Sequence, residues 1–275
     1  MECKTGPAAH AAAPAAATVR ILFSTSHVPA CNAALEESLF RGRLQQPTLL
    51  LYQDTPALLI GRHQVPWREI SLTRFTASPI PLLRRISGGG TVYLDPGCLA
   101  FAFLLPTSQI QRETWIQIAM DAIRSFGIPV QMDQRLSVFA DGHKVVGSAF
   151  AFRTDTALVH GSILVQTDLA ELRSRLTPNP GITFRTDAVP SVPAPVANLQ
   201  DFAPTLTIPA LADAFAERLQ SSIKPITPPT PDDSRFLSDD WNWFRSPDFT
   251  ATLPDGTTVA FSEHQFLSSN PFPIP

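Results

Sequence analysis

Apolar runs in this chain give way to tight turns before any of them is long enough for anything but a strand, and that rhythm constrains the fold most. "VRILFS" (19–24) reads as a first strand, and "TLLLYQ" and "ALLIGR" follow, parted by "DTP" as in a hairpin. "TVYL" and "LAFAFLLP" repeat the pattern around "DPGC", and "LSVFADGHKVVGSAFAF" is predicted to be a hairpin turning at Asp141-Gly142. "ALVHGSILV" is a further strand. Between them, "PACNAALEESLFRGR" (29–43) is an amphipathic helix opening on proline. Residues 109–126 carry Ile116, Ala119, Ala122, Ile123 and Phe126 at helical spacing, with Gly127 as the stop. "DLAELRSRL" and "PALADAFAERLQSSI" supply two later helices. Strands joined by hairpins, not βαβ units, imply an α+β fold: a mixed, mostly antiparallel sheet flanked by helices, and not a doubly wound nucleotide fold.

Residues 1–18, "MECKTGPAAHAAAPAAAT", are Ala/Pro-rich without a hydrophobic repeat and read as a flexible tail. With Glu2 and no arginine before Arg20, they make a weak organellar address. "KPITPPTPDD" (224–233) reads as a linker before "DDWNWF". A net charge of -3 gives no basic field for nucleic acid or an anionic membrane, and no apolar run reaches the ~18–20 residues of a membrane helix. Cys3, Cys31 and Cys98 lack metal-ligand spacing, no His/Glu spacing suggests zinc, and a reduced intracellular compartment fits best.

Two stretches stand out chemically. "RRISGGGTVYLDPG" (84–97) sets three consecutive glycines beside Arg84 and Arg85. It is neither a P-loop nor a G-x-G-x-x-G turn. A merely flexible turn fits it. So does a loop whose bare backbone lets an extended ligand lie close, with amides and both arginines facing an anion. "DGHKVVGSA" places Lys144 just past a turn between Gly142 and Gly147, and only Lys4 and Lys224 accompany it in the whole chain. A solvated turn lysine is the commoner fate of such a residue. His160-Gly161 interrupts a strand; the histidine reads by default as a hydrogen-bonded core residue and the glycine as a close backbone approach. Cys98 reads as buried and inert, and Trp67, Trp241 and Trp243 as packing anchors.

Taken in order, "IGRHQVPWREI", "RRISGGGTVYLDPG", "DGHKVVGSAF", "VHGSILV" and "VPSVPAPVANLQDF" resemble the lipoate–protein ligase and lipoyltransferase family, especially its mitochondrial branch. The family shows G-R-x-Q-N-P-W-x-E, R-R-x-S-G-G-G-x-V-x-H-D-x-G-N, G-x-K-x-S-G-x-A, H-G-x-L-L and S-V-x-x-x-V-x-N-L, and the match runs from about Leu50 to Phe202. The resemblance implies a biotin/lipoate-ligase-like catalytic domain over 19–248, and an extension over 249–275 too short for the accessory domain that many ligases carry. It implies transfer of a lipoyl group, through lipoyl-AMP made from lipoate, ATP and Mg²⁺, to a lysine of a lipoyl-domain protein. Such acceptors are 2-oxoacid dehydrogenase E2 subunits and the glycine cleavage H protein. A monomer in the mitochondrion, or otherwise the cytoplasm, is expected.

Carried over residue by residue, Arg85, Gly90, Thr91, Val92 and Tyr93 would hold the adenylate. Ser87, Gly88, Gly89, Gly147 and His160 would line the acyl chain. Lys144 would sit between the acyl carbonyl and the α-phosphate, and no residue is expected to ligate a metal directly. The chain departs from the family pattern at Val65, Leu94, Cys98, Ser137 and Val146, which stand where asparagine, histidine, asparagine, aspartate and serine are usual. Those changes leave open a relative that only transfers a ready-made adenylate, or only binds lipoate or lipoyl domains. An octanoyltransferase would need a cysteine nucleophile, and "TPNPG" offers only Asn179 in that neighbourhood.

Overall fold

The computed structural model describes residues 18–177, 179–228, 234–269 and 271–272. The tail expected over residues 1–18 therefore lies, Thr18 apart, outside the described residues. The first half of the chain runs β1 (Arg20–Ser24), α1 (Pro29–Arg41), β2 (Thr48–Tyr52), β3 (Ala57–Ile60), α2 (Pro66–Glu69), α3 (Leu72–Ala77), β4 (Leu82–Arg84), β5 (Val92–Leu94) and β6 (Cys98–Pro106). Then come α4 (Arg112–Arg124), β7 (Gln131–Met132), β8 (Val138–Ala140), β9 (His143–Phe152), β10 (Thr156–Leu164), α5 (Leu169–Leu176) and β11 (Thr183–Arg185). The remainder is α6 (Ile208–Leu219), β12 (Ile223–Ile226), α7 (Ser234–Leu237), β13 (Phe249–Thr252), β14 (Thr258–Ser262) and β15 (Gln265–Phe266). No helix among the described residues is long and apolar enough to cross a membrane.

The main sheet has the order β12-β1-β2-β6-β10-β9-β8-β7, and two smaller sheets have the orders β4-β3-β5 and β11-β13-β14-β15. Among the described residues the parallel strand pairs are β1–β12, β1–β2 and β3–β4, so the mostly antiparallel α+β expectation holds. Two expected hairpins do not. β2 and β3 flank "DTP" but join different sheets, as do β5 and β6 around "DPGC". Turn chemistry reverses the chain locally; it does not decide which strand edge is vacant on the far side. The β8–β9 hairpin forms as expected, with Asp141 and Gly142 at φ 43° and 73°, the double left-handed signature of a tight two-residue turn.

Part of the supposed linker is strand: residues 223–226 pair with β1 and extend the main sheet. The boundary expected at Asp248 also disappears in the packing. Phe249 and Phe261 stack at 5.1 Å, and both pack on Trp67, which is fully buried beside Trp243. Residues 249–266 thus complete the aromatic core that begins at "VPWRE", confirming Trp67 and Trp243 as anchors. Asn179 is structural too. Its side chain accepts from Leu72 N and donates to the carbonyls of Trp67 and Ile70.

The main sheet has two unlike faces. One buries Phe101, Phe103, Val159 and Ile163 beneath α4 and α6. The other presents Ala100, Ala102, Leu158 and Ala151 to α1 and Ile86. A β-bulge in β9 aims the chain between them. The register shifts so that Val138 faces Val146 while Phe139 faces Lys144, leaving Val145 as the extra residue. Val145 and Val146 consequently both enter the core under α4 and α6, and Lys144 is turned to the opposite face with Gly147.

Candidate active site

The glycine loop is shaped from inside by its own arginine. Arg85 Nη2 donates to the carbonyls of Gly88 at 2.9 Å and Gly90 at 2.7 Å, and Nη1 donates to Leu59 O at 2.6 Å. With those carbonyls drawn inward, the amides of Gly88, Gly89 and Gly90 donate to no protein acceptor among the described residues. Gly89 takes φ +86°, which a side chain would strain. A Cβ on neighbouring Gly61 would collide with the Gly89 carbonyl, so both positions need glycine. Arg84 is fully buried and gives its donors to the carbonyls of Gly61, Arg62, Gln64, Trp241 and Asn242 and to Ser246 Oγ. Burial lowers the two guanidinium pKa values to about 9 for Arg84 and about 10 for Arg85, so both stay charged at neutral pH. The expectation that both arginines face an anion is therefore corrected. An anion in this loop meets amides, and the guanidinium groups hold those amides outward.

The stretch after the loop is less open than expected. Thr91 N donates to Ser191 Oγ at 3.0 Å, and its hydroxyl donates to Gln64 Oε1 at 2.9 Å. Val92 and Tyr93 lie in β5 opposite Leu59 and Leu58. Burial, and then Asp95, push the Tyr93 hydroxyl up to about 12. Among the residues expected to hold the adenylate, Gly90 has an amide that donates to no protein acceptor among the described residues. Gln64 and Ser191, which no sequence argument singled out, pin the loop to residues 188–191: Gln64 Nε2 donates to Val189 O and Ser191 Oγ, and Ser191 N donates to Glu69 Oε2.

Lys144 is half-buried. A Cβ placed on Gly147 would lie 3.4 Å from Lys144 Cε and 3.6 Å from Nζ, so the ammonium folds back over that bare strand position. Nζ has no bonded partner among the described residues. Burial lowers its pKa below the usual lysine value, Asp133 opposes that shift and Arg135 adds to it. Residues 195–197 lie along the Lys144 backbone, with Lys144 N donating to Pro195 O at 2.8 Å. A Cβ on Gly89 would touch Ala149 Cβ at 3.3 Å, which places the glycine loop over Ala149, two residues along β9 from Gly147. Two strand residues span about 6.6 Å, so loop and ammonium are neighbours on one face.

His160 lies beneath the loop. Its Nε2 is 2.6 Å from Ser87 Oγ, and its Nδ1 is 3.0 Å from the Glu36 carboxylate on α1. Tyr52 also donates to Glu36, at 3.3 Å. Glu36 went unnoticed in the sequence; the signal was a carboxylate on the buried side of an Ala/Leu helix. A cleft of about 700 Å³ lies against Ile86, Gly88 and Phe150, rimmed by Arg62, Arg153 and Arg235, and Lys144 is not one of its walls.

The departures from the family pattern are accommodated structurally. Val65 and Leu94 are buried. Cys98 Sγ lies 3.0 Å from Thr167 Oγ1, with its thiol pushed up to about 12 by burial, as an inert cysteine should be. Ser137 O accepts from Asp133 N, and Ser137 N donates to the Asp133 carboxylate. Among the described residues no group of three or more His, Cys, Asp or Glu could hold a metal.

Residues 28–220 match the family model of the lipoyl protein ligase A/B catalytic domain. Lipoate-protein ligase A of Bdellovibrio bacteriovorus is 37% identical over 191 residues, 68% of this chain and 56% of that protein, so the chain spans little more than half the length of that curated relative. LipL1 of P. falciparum in complex with lipoate superposes with a TM-score of 0.71 at 20% identity, covering 86% of this chain and 80% of that one. A bi-partite lipoate protein ligase, studied with its E2 lipoyl domain, from Thermoplasma acidophilum gives 0.66 at 24%, covering 82% and 95%. A lipoate-protein ligase A bound with ATP gives 0.66 at 23%, covering 82% and 98%. At these identities the superpositions establish a shared fold.

Proposed function

The chain belongs to the lipoyl protein ligase A/B catalytic-domain family, and on that premise we propose that it transfers a lipoyl group from lipoyl-adenylate to a lysine of a lipoyl-domain protein. The observation that carries this reading is the unpartnered, half-buried Lys144 ammonium over Gly147, on the face where three free amides gather. A buried cation without a counter-charge is costly, and it is repaid only by an anion that arrives with the substrate. An acyl-adenylate brings one at the α-phosphate and develops a second at the carbonyl oxygen as the acceptor amine attacks. A preorganised donor at such a point is worth ~3–4 kcal/mol. Phe40, Ile86, Phe150 and Ala151 wall the cleft beside the loop, which suits an extended apolar chain. Lipoate and ATP are the ligands named for the relatives of the same fold. A Mg²⁺ ion would take most of its ligands from nucleotide phosphates and water. Acceptors of the E2 lipoyl-domain and H-protein type follow from the same premise, the former supported by the Thermoplasma pair.

The test is the intact mass of an apo lipoyl domain after incubation with the protein and either lipoate, ATP and Mg²⁺ or synthetic lipoyl-adenylate. A lipoyl adduct on a single lysine is expected. Absence of an adduct from both donors overturns the reading.

A further inference from the structure

We propose that Ser87, His160 and Glu36 form a serine acyl-transfer triad, so that the protein takes the acyl group of an activated carboxylic ester onto Ser87 as a covalent intermediate. The three side chains come from the glycine loop, β10 and α1, and each is nearly or fully buried. The chain of contacts is 2.6 Å from Ser87 Oγ to His160 Nε2 and 3.0 Å from His160 Nδ1 to the Glu36 carboxylate. One neutral tautomer satisfies both. Nδ1–H donates to Glu36, and Nε2 accepts the Ser87 hydroxyl proton. A nucleophile, a base and a carboxylate that orients the base are recognised by geometry and role, whatever their order in the chain.

Two further observations favour chemistry over a loop clamp, which would need only one of these bonds. First, the residues after Ser87 are the glycines whose amides have no protein acceptor. An amide following the nucleophile is a common oxyanion donor. Secondly, a Cβ on Gly88 would meet nothing within 4 Å, and Gly88 lines the cleft, so open space ends one residue from the hydroxyl. The walls of that cleft include Phe40, Ile86 and Phe150 and its rim is arginine-rich, which suits an apolar acyl chain with an anionic leaving group.

The step balances without a co-reactant. The Ser87 O–H proton passes to His160 Nε2 as Oγ bonds to the acyl carbon. The tetrahedral oxyanion collapses, the bond to the leaving group breaks with its electron pair, His160 gives its proton to the departing group or to solvent, and an ester on Ser87 remains. Water, or an amine, then attacks that ester with His160 accepting its proton, and the proton returns to Ser87 Oγ. An activated ester expels a weakly basic leaving group, whereas hydrolysis of the ester on Ser87 must expel an alkoxide, so acylation should outrun turnover. Glu36 acts here as a positioning residue; Tyr52, Asp54 and Arg85 are the other ionisable groups around it.

The experiment uses the full chain with p-nitrophenyl octanoate, a simple ester, so that it does not depend on lipoyl transfer. Expected is a burst of about one equivalent of p-nitrophenolate and an octanoyl adduct mapped to the peptide bearing Ser87. Alkaline hydroxylamine should remove that adduct, as it does an oxygen ester and not an amide on Lys144. His160→Ala should slow the burst by about 100-fold or more, within the usual range for a general base. Glu36→Gln should slow it and also shift its pH profile, which loss of helix packing alone does not do. Ser87→Cys should be acylated as a thioester even if Ser87→Ala loosens the loop. No burst from the folded wild type, or an adduct that maps elsewhere and resists hydroxylamine, overturns the proposal.

Discussion

The two faces of the eight-stranded sheet are made by the same strands and do opposite work. Under α4 and α6, Phe101, Phe103, Trp115 and Phe215 form an aromatic cluster in which large side chains touch. Under α1 and the glycine loop, the same strands show Ala100, Ala102, Ala149, Gly147 and His160, and the space left by missing side chains is taken by loop backbone and buried polar contacts. The difference teaches where each kind of free energy lies. The first face supplies stability through apolar area. The second gives up part of that area to hold charges and donors in fixed positions, and that is the face able to do chemistry.

The sharpest test of this division is Lys144. Lys144→Ala should lower transfer from pre-made lipoyl-adenylate by about 100-fold or more with little change in the unfolding midpoint, and Lys144→Arg should restore little, since a planar guanidinium does not fit the point an ammonium fills. A large stability loss with retained transfer would break the comparison. Phe101→Ala on the other face should do the reverse. It should cost about 3–5 kcal/mol in urea unfolding while the protein that stays folded keeps its transfer rate.

A smaller effect is expected in the polar end of the α1 side. Asp54 is buried against Asn32, and burial raises its pKa from 3.8 to about 7. The folded chain then keeps a proton that the unfolded chain has released, so this group's contribution is fully present below about pH 4 and is lost as the pH rises towards 7. Stability should fall through that window by on the order of 1–4 kcal/mol, and Asp54→Asn should flatten the slope measured by chemical denaturation between those pH values. The smallest effect belongs to Gly88→Ala. With open space at its Cβ and no positive φ, it should change stability by less than about 0.5 kcal/mol, whereas Gly61→Ala must displace Gly89 and should lower both stability and transfer. Equal melting temperatures for the two variants would show that the loop is not held as described.

Much of this was legible in the residues themselves. Strand lengths, the α1, α4, α5 and α6 helices and the Asp141-Gly142 turn are local properties, written in apolar periodicity and in the two residue types that tolerate left-handed backbone. The glycine triplet and the scarce lysine were visible as the chemically unusual stretches, and five collinear motifs pointed to the family. What was not legible depended on partners far along the chain. Nothing local tells "DTP" that its strands must part into different sheets, because that choice belongs to β6, whose edge β2 takes by pairing Leu50 with Ala102. Arg84 and Arg85 look alike in sequence, yet one is consumed by carbonyls 20 to 158 residues away and the other folds its own loop. Glu36 gained its role only when α1 settled over β10, 124 residues later. Sequence alone determined which segments could be strands, helices and tight turns, because those follow from backbone sterics and nearest neighbours. Tertiary structure decided which face became the site and which charges were turned inward, because a buried hydrogen bond is settled by what the fold brings within 3 Å.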